Sequence, residues 1–250
     1  MKFQRICITE TDSTNNMLQP IEVPDDTCVV AVADYQTAGR GQAGNRWESE
    51  HSKNLLFSMA VRPSTVPVNR QFVLSMAHAL ALKEALDSRG IEVLLKWPND
   101  IYVGNRKLGG TLIELSVAEG SLKKCIFGTG INVNQTVFVS DAPNPVSLKQ
   151  LLGTDIDRQT LLDDILRAFE TCYRRVEQQD YEYIQSRYHA SLYRRNGYHP
   201  YQDQEGIFEA KIIEVAQNGI ITLQDRNGKN RQYAFKEVAF VISEQHDSNI

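Results

Sequence analysis

The chain has no run approaching the roughly 20 consecutive apolar residues needed to span a bilayer, and its start, MKFQRICITETDSTNN, has no apolar stretch long enough for a secretory signal. A cytoplasmic protein is the expectation that remains. Its four cysteines, Cys7, Cys28, Cys125 and Cys172, are scattered, with no CxxC and no histidine at metal-ligand spacing. Neither a disulfide framework nor a zinc site is therefore indicated, and buried reduced thiols are expected. None of His51, His78, His189, His199 and His246 has a serine or cysteine partner at a triad-like spacing, and no GxSxG occurs. Hydrolysis through an activated nucleophile is thereby disfavoured. The run Gly128-Thr129-Gly130-Ile131-Asn132-Val133 lacks GxGxxG spacing and is not followed by a helical pattern, which argues against a dinucleotide fold. Charge of one sign is also scarce, since 27 Lys and Arg against 31 Asp and Glu leave a net charge of -4. A nucleic-acid surface spread over the whole chain is disfavoured, although a local basic patch would survive that average.

What the 250-residue chain does contain is an ordinary globular balance, 42% hydrophobic and 23% charged, with enough length for one sizeable core and a smaller second one. Segments 27–33 (TCVVAVA) and 54–61 (NLLFSMAV) are β-rich and apolar between polar, glycine-bearing stretches, as buried strands are. Between them, 34–51 is a long polar loop with three glycines. A loop of that length without structure of its own is uncommon in a compact domain and is often functional. Within 68–89 the residues Phe72, Val73, Met76, Ala77 and Leu80 keep helical spacing, and Gly90 supplies the stop. Strands are expected near 92–96, 107–117 and 121–133, with turns at Gly104-Asn105 and Glu119-Gly120. In the second of these, Ile113, Leu115 and Val117 form an apolar face and Leu112, Glu114 and Ser116 a mixed one, which suits the antiparallel part of a mixed sheet. Helical patterns return at 147–152, 157–178 and 181–189. From Tyr198 onward, short alternating runs at 207–215, 219–223, 231–235 and 238–242 read as a small five-stranded barrel or half-barrel. The expected organisation is a larger domain over 1–195, a small one over 198–243 and a polar tail over 244–250.

The densest chemistry lies in 96–110, KWPNDIYVGNRKLGG. A lysine that precedes Leu-Gly-Gly can project its ammonium into a cavity at the sheet mouth, where it would neutralise a carboxylate and the charge building on a phosphorus under attack. Lys96 and Lys107 flank the hairpin in this way. Asn99 and Asp100 after Pro98 are turn formers, and a carboxylate beside two lysines either orients one of them or helps hold Mg2+ through water. In 39–47, GRGQAGNRW, glycines let backbone N–H groups approach an anion, arginine adds bidentate phosphate recognition, and Trp47 can anchor the loop or stack on a flat ring. Asp12 or Ser13 reads as a helix N-cap, and the hydroxyls and amides clustered there also suit a small polar head group. His78, inside a helical pattern, reads as a satisfied or half-exposed residue rather than a catalyst.

Taken in order, STN at 13–15, YQTAGRGQAGNRW at 35–47, KWPND at 96–100, KLGGTLIE at 107–114 and GTGINV at 128–133 resemble the successive motifs of the biotin protein ligase family. The segment after residue 198 is similar to the small domain that follows that family's catalytic domain. The resemblance implies an α+β fold in which a mixed β-sheet packed with helices, of the class II aminoacyl-tRNA synthetase and biotin ligase type, is followed by a small SH3-like β-barrel. It implies an ATP-dependent biotin–[biotin carboxyl carrier protein] ligase that uses Mg2+. Biotin's carboxylate would attack the α-phosphate of ATP, giving biotinyl-5'-AMP and pyrophosphate. A lysine of a carrier domain would then take the biotinyl group and release AMP.

The resemblance also implies residue roles. Ser13, Thr14 and Asn15 would surround the ureido group of biotin together with Gln36. Gly39, Arg40 and Gly41 would belong to a loop over biotin and the adenylate. Lys107 would contact the carboxyl and phosphate oxygens, with Gly109 and Gly110 beside it on the biotin side. Arg40, Gly41, Gln42, Trp47, Lys96 and Trp97 would face the nucleotide, as would Asn99, Asp100, Lys107 and Asn132. Catalysis is expected of Lys107, Arg40 and Asp100, with Asp100 the nearest candidate base for the incoming lysine.

One departure stands out: many relatives continue the loop as GRGRRG, whereas Gln42 here is neutral. Its amide donates a hydrogen bond but carries no charge, so Arg46 or Lys96 is expected to offset the loss. Some relatives carry an N-terminal DNA-binding module, while STN here begins at residue 13, so no nucleic-acid partner is expected. The expected partners are biotin, ATP and a biotin carboxyl carrier protein or domain, with no membrane and with a possible homodimer. The alternatives are a lipoate or other acyl protein ligase on a related fold, or a non-catalytic biotin- or carrier-binding module.

Overall fold

The segments 27–33 and 54–61 owe their unbroken apolar character to burial on both faces. In the computed structural model, which describes residues 1–139 and 144–242, they lie within strands β2 (Thr27–Gln36) and β3 (Leu55–Val61) of a seven-stranded mixed sheet. The remaining strands are β1 (Lys2–Thr11), β4 (Leu94–Lys96), β5 (Asp100–Val103), β6 (Arg106–Ala118) and β7 (Ser121–Ile131), in the order β1-β2-β3-β7-β6-β5-β4. The pair β1–β2 is parallel and every other pair is antiparallel. The expected tail 244–250 and most of the loop at 141–145 lie outside the described residues.

Side chains alternate between two cores, as the period of two in a strand requires. Cys28, Val30, Phe57 and Met59 join a large core with α2 (Phe72–Asp87), α4 (Arg158–Glu177) and α5 (Tyr181–Ala190). Val29, Ala31 and Ala60 instead face a small core with Leu18 of α1 (Thr14–Leu18). Eleven of the sixteen residues of α2 are buried, so this helix has no broad solvent face and lies between the sheet and the outer helices. α3 (Leu148–Leu152) starts in a capping box, with the Gln150 N–H donated to Ser147 Oγ and the Ser147 N–H donated to Gln150 Oε1. No described helix is long and apolar enough to cross a membrane.

A second, antiparallel sheet contains β8 (His199–Asp203), β9 (Gly206–Val215), β10 (Ile221–Asp225), β11 (Asn230–Tyr233) and β12 (Ala239–Phe240), in the order β11-β10-β9-β8-β12. It is tied to the larger unit by hydrogen bonds from α2, from the turn after β4 and from the segment after α5, and Gln185 of α5 also donates to the Val215 carbonyl at 2.9 Å. The Phe72 N–H donates to the Gln217 carbonyl at 3.0 Å, and the Trp97 indole N–H donates to the Gly219 carbonyl at 3.1 Å. Arg194 donates to the carbonyls of Pro200 and Val241 at 3.0 and 2.8 Å. Gly219 has φ 93°, and a Cβ there would come within 3.3 Å of both Phe72 and Phe235, so a side chain would be strained and crowded at this junction.

Three features depart from the sequence expectation. Cys7, expected to be buried with the other cysteines, is exposed on the edge strand β1. β1 pairs on one side only, and its apolar Phe3, Ile6 and Ile8 are half-buried and interrupted by Gln4-Arg5, so the strand hardly registers as a pattern. The 34–51 segment is also less open than expected. β2 runs on to Gln36, Arg40 pairs with Arg46 in an antiparallel bridge, and the Trp47 N–H donates to the Gly39 carbonyl at 3.0 Å, around a short turn at Gln42–Gly44. It is a folded hairpin.

Candidate functional site

The first turn of α1 is short of the usual side-chain cap. Ser13 occupies the N-cap position in extended conformation without a capping bond from its own hydroxyl. Asp12 supplies the acceptors instead, taking the Ser13 N–H at 2.7 Å and the Asn16 amide at 2.6 Å. These bonds, that from Asn16 foremost, hold the Asp12 carboxyl below the usual carboxylate range. Thr14 and Asn15 are thereby set against the sheet, where both are buried. Gln36 at the end of β2 accepts from the Thr14 N–H at 2.8 Å and from its hydroxyl at 3.0 Å. The Ser58 hydroxyl lies 2.6 Å from both Thr14 Oγ1 and Asn15 Oδ1, and the Asn15 amide donates to Glu114 Oε2 at 2.7 Å. This corner is polar and largely buried, and the bonds to Ser58, Gln36 and Glu114 fix the orientation of Thr14 and Asn15.

Two glycines of β7 form the floor. A Cβ at Gly128 would lie 1.9 Å from Asn15 Oδ1, and one at Gly130 would lie 2.4 Å from the Trp47 ring. The glycine run that does not match a dinucleotide loop therefore serves a different end, letting Asn15 and Trp47 lie flat on the sheet. The buried Trp47 indole N–H has no hydrogen-bond partner among the described residues.

At the far end of the floor the 96–110 hairpin brings its charges together. Lys107 Nζ lies 2.6 Å from Asp100 Oδ1, and Lys96 Nζ lies 3.6 Å from Asp100 Oδ2. Burial pushes the Lys96 ammonium below its ordinary pKa, while the attraction of Asp100 works in the opposite direction. Asn99 is pinned to β6 by its amide, which donates to the Thr111 carbonyl at 2.8 Å, and the Trp97–Pro98 peptide is cis. Arg40 reaches from its hairpin to Glu114 at 3.1 Å.

These groups border one cavity of about 640 Å3. Ser13, Thr14, Asn15 and Gln36 line it, as do Arg40, Gly41, Gln42 and Trp47. So do Lys96, Trp97, Asn99, Asp100, Lys107, Gly110 and Asn132. Gly39 and Gly109 do not: they stand behind the wall, Gly109 where β6 packs closely against the Gly130 carbonyl. Trp97 borders the cavity, yet its ring is 2% exposed and turned to Phe235 at 5.5 Å between ring centres. Arg46, expected as a substitute charge, lines the cavity and donates to the Thr37 carbonyl at 3.4 Å.

Sequence reasoning missed several contributors. Ser58 is a lone hydroxyl in the apolar run NLLFSMAV, and Glu114 closes the KLGGTLIE motif, so both carried a readable signal. Lys236, Val238, Ala239 and Phe240 reach the cavity from the second sheet and carried none. The lining holds five cationic side chains, Arg40, Arg46, Lys96, Lys107 and Lys236, against the carboxylates Asp100 and Glu48. An excess of positive charge in an enclosed site suits a polyanionic ligand.

Behind the floor, His78 Nε2 lies 2.8 Å from Thr129 Oγ1, which lies 3.2 Å from Thr111 Oγ1. Burial pushes the imidazole pKa down from 6.5 to about 3. The unfolded chain therefore takes up a proton at His78 below pH 6.5 that the folded chain refuses until about pH 3. Stability associated with this residue is complete above that window and is lost as pH falls through it, at up to about 1.4 kcal/mol per pH unit. Denaturant titrations of wild type and His78→Leu across the window should show a shallower acid loss in the variant; parallel curves would refute the assignment.

The comparisons with known proteins agree with this geometry. Residues 6–132 match the model of the biotin/lipoate A/B protein ligase family. The chain is 30% identical over 233 residues to the bifunctional ligase/repressor BirA of Bacillus spizizenii, covering 91% of this chain and 70% of that protein. It is 34% identical over 169 residues to the biotin–[acetyl-CoA-carboxylase] ligase of Mycobacterium tuberculosis, covering 65% of this chain and 61% of that one. Among solved structures, the biotin protein ligase of Aquifex aeolicus in complex with biotin and ATP superposes with a TM-score of 0.80 at 26% identity, over 96% of this chain and 99% of that one.

Proposed function

The chain belongs to the biotin/lipoate A/B protein ligase family, and we propose that its cavity activates biotin with ATP and passes the biotinyl group to a lysine of a biotin carboxyl carrier protein or domain. Its function is that of a biotin protein ligase, with biotin and ATP as substrates. The observation that carries the finer reading is the convergence of all five motifs on one cavity, although they are spread from residue 13 to residue 133.

The two ends of that cavity suit the two ends of an adenylate. Ser13, Thr14, Asn15 and Gln36 offer hydroxyls and amides to the ureido head of biotin, held rigid by Ser58 and Glu114. Lys107 lies where biotin's carboxylate would meet the α-phosphate of ATP. Two anions repel as they approach, and the charge on phosphorus grows during attack, so an ammonium fixed at this point lowers the barrier. Asp100 aims Lys107 and is itself shared with Lys96, which makes the carboxylate better suited to orienting an ammonium than to removing a proton from the acceptor lysine. Arg40, held by Glu114, and Trp47 with its unpartnered N–H would close the site over the mixed anhydride and keep water from hydrolysing it. Asn132 and Asn99 are assigned to the nucleotide side.

Mg2+ fits this reading as the counter-ion of the ATP phosphates. Among the described residues no group of three or more His, Cys, Asp or Glu side chains could hold a metal, and Asp100 is committed to two lysines. An ion held by the phosphates and water, with one or two carboxylates at most, matches how Mg2+ binds with nucleotides. We assign 1–195 to the catalytic domain and 198–243 to an SH3-like one. A cytoplasmic location, in which the four free cysteines stay reduced, belongs to the same proposal.

The test is an ATP-dependent transfer assay with labelled biotin and a carrier domain, with unlabelled lipoate as competitor. Label on the carrier lysine together with AMP release is the expected result. No transfer by the wild-type chain would overturn the ligase reading, and displacement by lipoate would move it to the other branch of the family.

A further inference from the structure

We propose that Lys236, carried by the second sheet, binds the leaving phosphates of ATP, which depart as pyrophosphate when the adenylate forms. The inference rests on the ligase reading and adds to it a residue outside the five motifs. Lys236 borders the cavity together with Val238, Ala239 and Phe240, and it is exposed there. Its place is held from the inside. The neighbouring Phe235 packs on Trp97 at 5.5 Å and on Phe72 at 5.7 Å between ring centres, and Lys96 Nζ lies 5.0 Å from the centre of the Phe240 ring. Lys236 thus lies on a segment locked to the 96–100 turn.

The other cations of the cavity are already engaged within the protein. Lys96 and Lys107 share Asp100, Arg40 pairs with Glu114, and Arg46 donates to a backbone carbonyl. Among the described residues, Lys236 makes no ion pair or hydrogen bond. Its backbone adds a second observation, for φ is 74°, in the left-handed region that is strained for a residue bearing a side chain. Glycine would sit there without strain, so a lysine at this position works against folding. A triphosphate brings about four negative charges into the site, whereas the adenylate retains one phosphate. A cation that meets the outer phosphates therefore favours ATP over AMP and leaves biotin unaffected. With Gln42 neutral in the 39–47 hairpin, Lys236 supplies charge to the same cavity from the second sheet.

The decisive variant is Lys236→Gly, because it removes the charge while relieving the backbone. Its affinities for ATP and for AMP are read by calorimetric titration, and its KM for ATP and for biotin by the transfer assay. ATP binding should weaken by about three- to tenfold with a matching rise in KM for ATP. AMP binding and KM for biotin should stay unchanged, and the thermal midpoint should hold or rise. Lys236→Arg should retain wild-type ATP affinity. Unchanged ATP affinity in Lys236→Gly would overturn the proposal, and equal weakening of ATP and AMP would overturn the assignment to the outer phosphates. Titration reads ATP affinity without turnover, so it decides the role of Lys236 even if wild-type transfer fails and the ligase reading falls.

Discussion

Lys107→Ala should lower the rate of biotinyl-adenylate formation by about 10^2- to 10^3-fold, the range found when one preorganised donor to a developing anion is removed. The argument rests on geometry. Lys107 Nζ is held 2.6 Å from Asp100, the side chain is 24% exposed, and a Cβ at Gly110 would lie only 3.6 Å from Nζ, so the ammonium occupies a confined position at the cavity wall. Removing it also strips Asp100 of its nearer partner and takes away the net positive charge of the Lys96, Asp100 and Lys107 cluster where the biotin carboxylate must approach. Single-turnover release of pyrophosphate in the presence of biotin reads this step without the carrier. Folding should be little affected, because the side chain lies at the wall rather than in the core, and an unchanged unfolding midpoint would confirm that the lost rate is chemical. A variant within roughly threefold of the wild-type rate would contradict the role given to Lys107, since that is far below what one such donor contributes.

Trp97→Ala should cost about 3–5 kcal/mol of stability, the usual toll for removing a large buried aromatic side chain. The ring is 2% exposed, it meets Phe235, and its N–H satisfies the Gly219 carbonyl, so truncation leaves both a cavity and an unpaired acceptor at the junction of the two sheets. Trp97→Phe separates the two contributions, keeping most of the packing and losing the hydrogen bond, with an expected cost of about 1 kcal/mol. Urea unfolding of the three proteins makes the comparison. If the alanine variant lost no more stability than the phenylalanine one, the tryptophan would not be the anchor between the sheets.

The same residue shows how far a motif can be read. In KWPND, tryptophan stands amid polar and charged residues and resembles a nucleotide-facing ring; in the folded chain its neighbours Lys96 and Asp100 carry the charges at the cavity while the ring itself secures the second sheet. Nothing local distinguishes these roles, since Phe235 and Gly219 lie more than a hundred positions away. Asn15 is a similar case. Its place beside the cavity was legible from STN, but its bonds to Glu114 and Ser58 depend on strands that pair across the sheet.

Local pattern was sufficient for β2, β3, the three long helices and the hairpin turns, because burial on one or two faces imposes a period that any window of the chain displays. It was sufficient also for the chemical character of the site, since the motifs carry their lysines, amides and glycines in contiguous runs. It did not reveal β1, whose single pairing edge leaves a weak alternation, or the folded state of the 39–47 hairpin. The partners of each charge were equally out of reach. Asp100 between two lysines, Arg40 on Glu114 and Lys236 at the rim follow from β5 pairing with β6 and from the second sheet docking on Trp97. Charges act through distance, and distances between residues remote in the chain exist only once the strands are in register and the two sheets are packed.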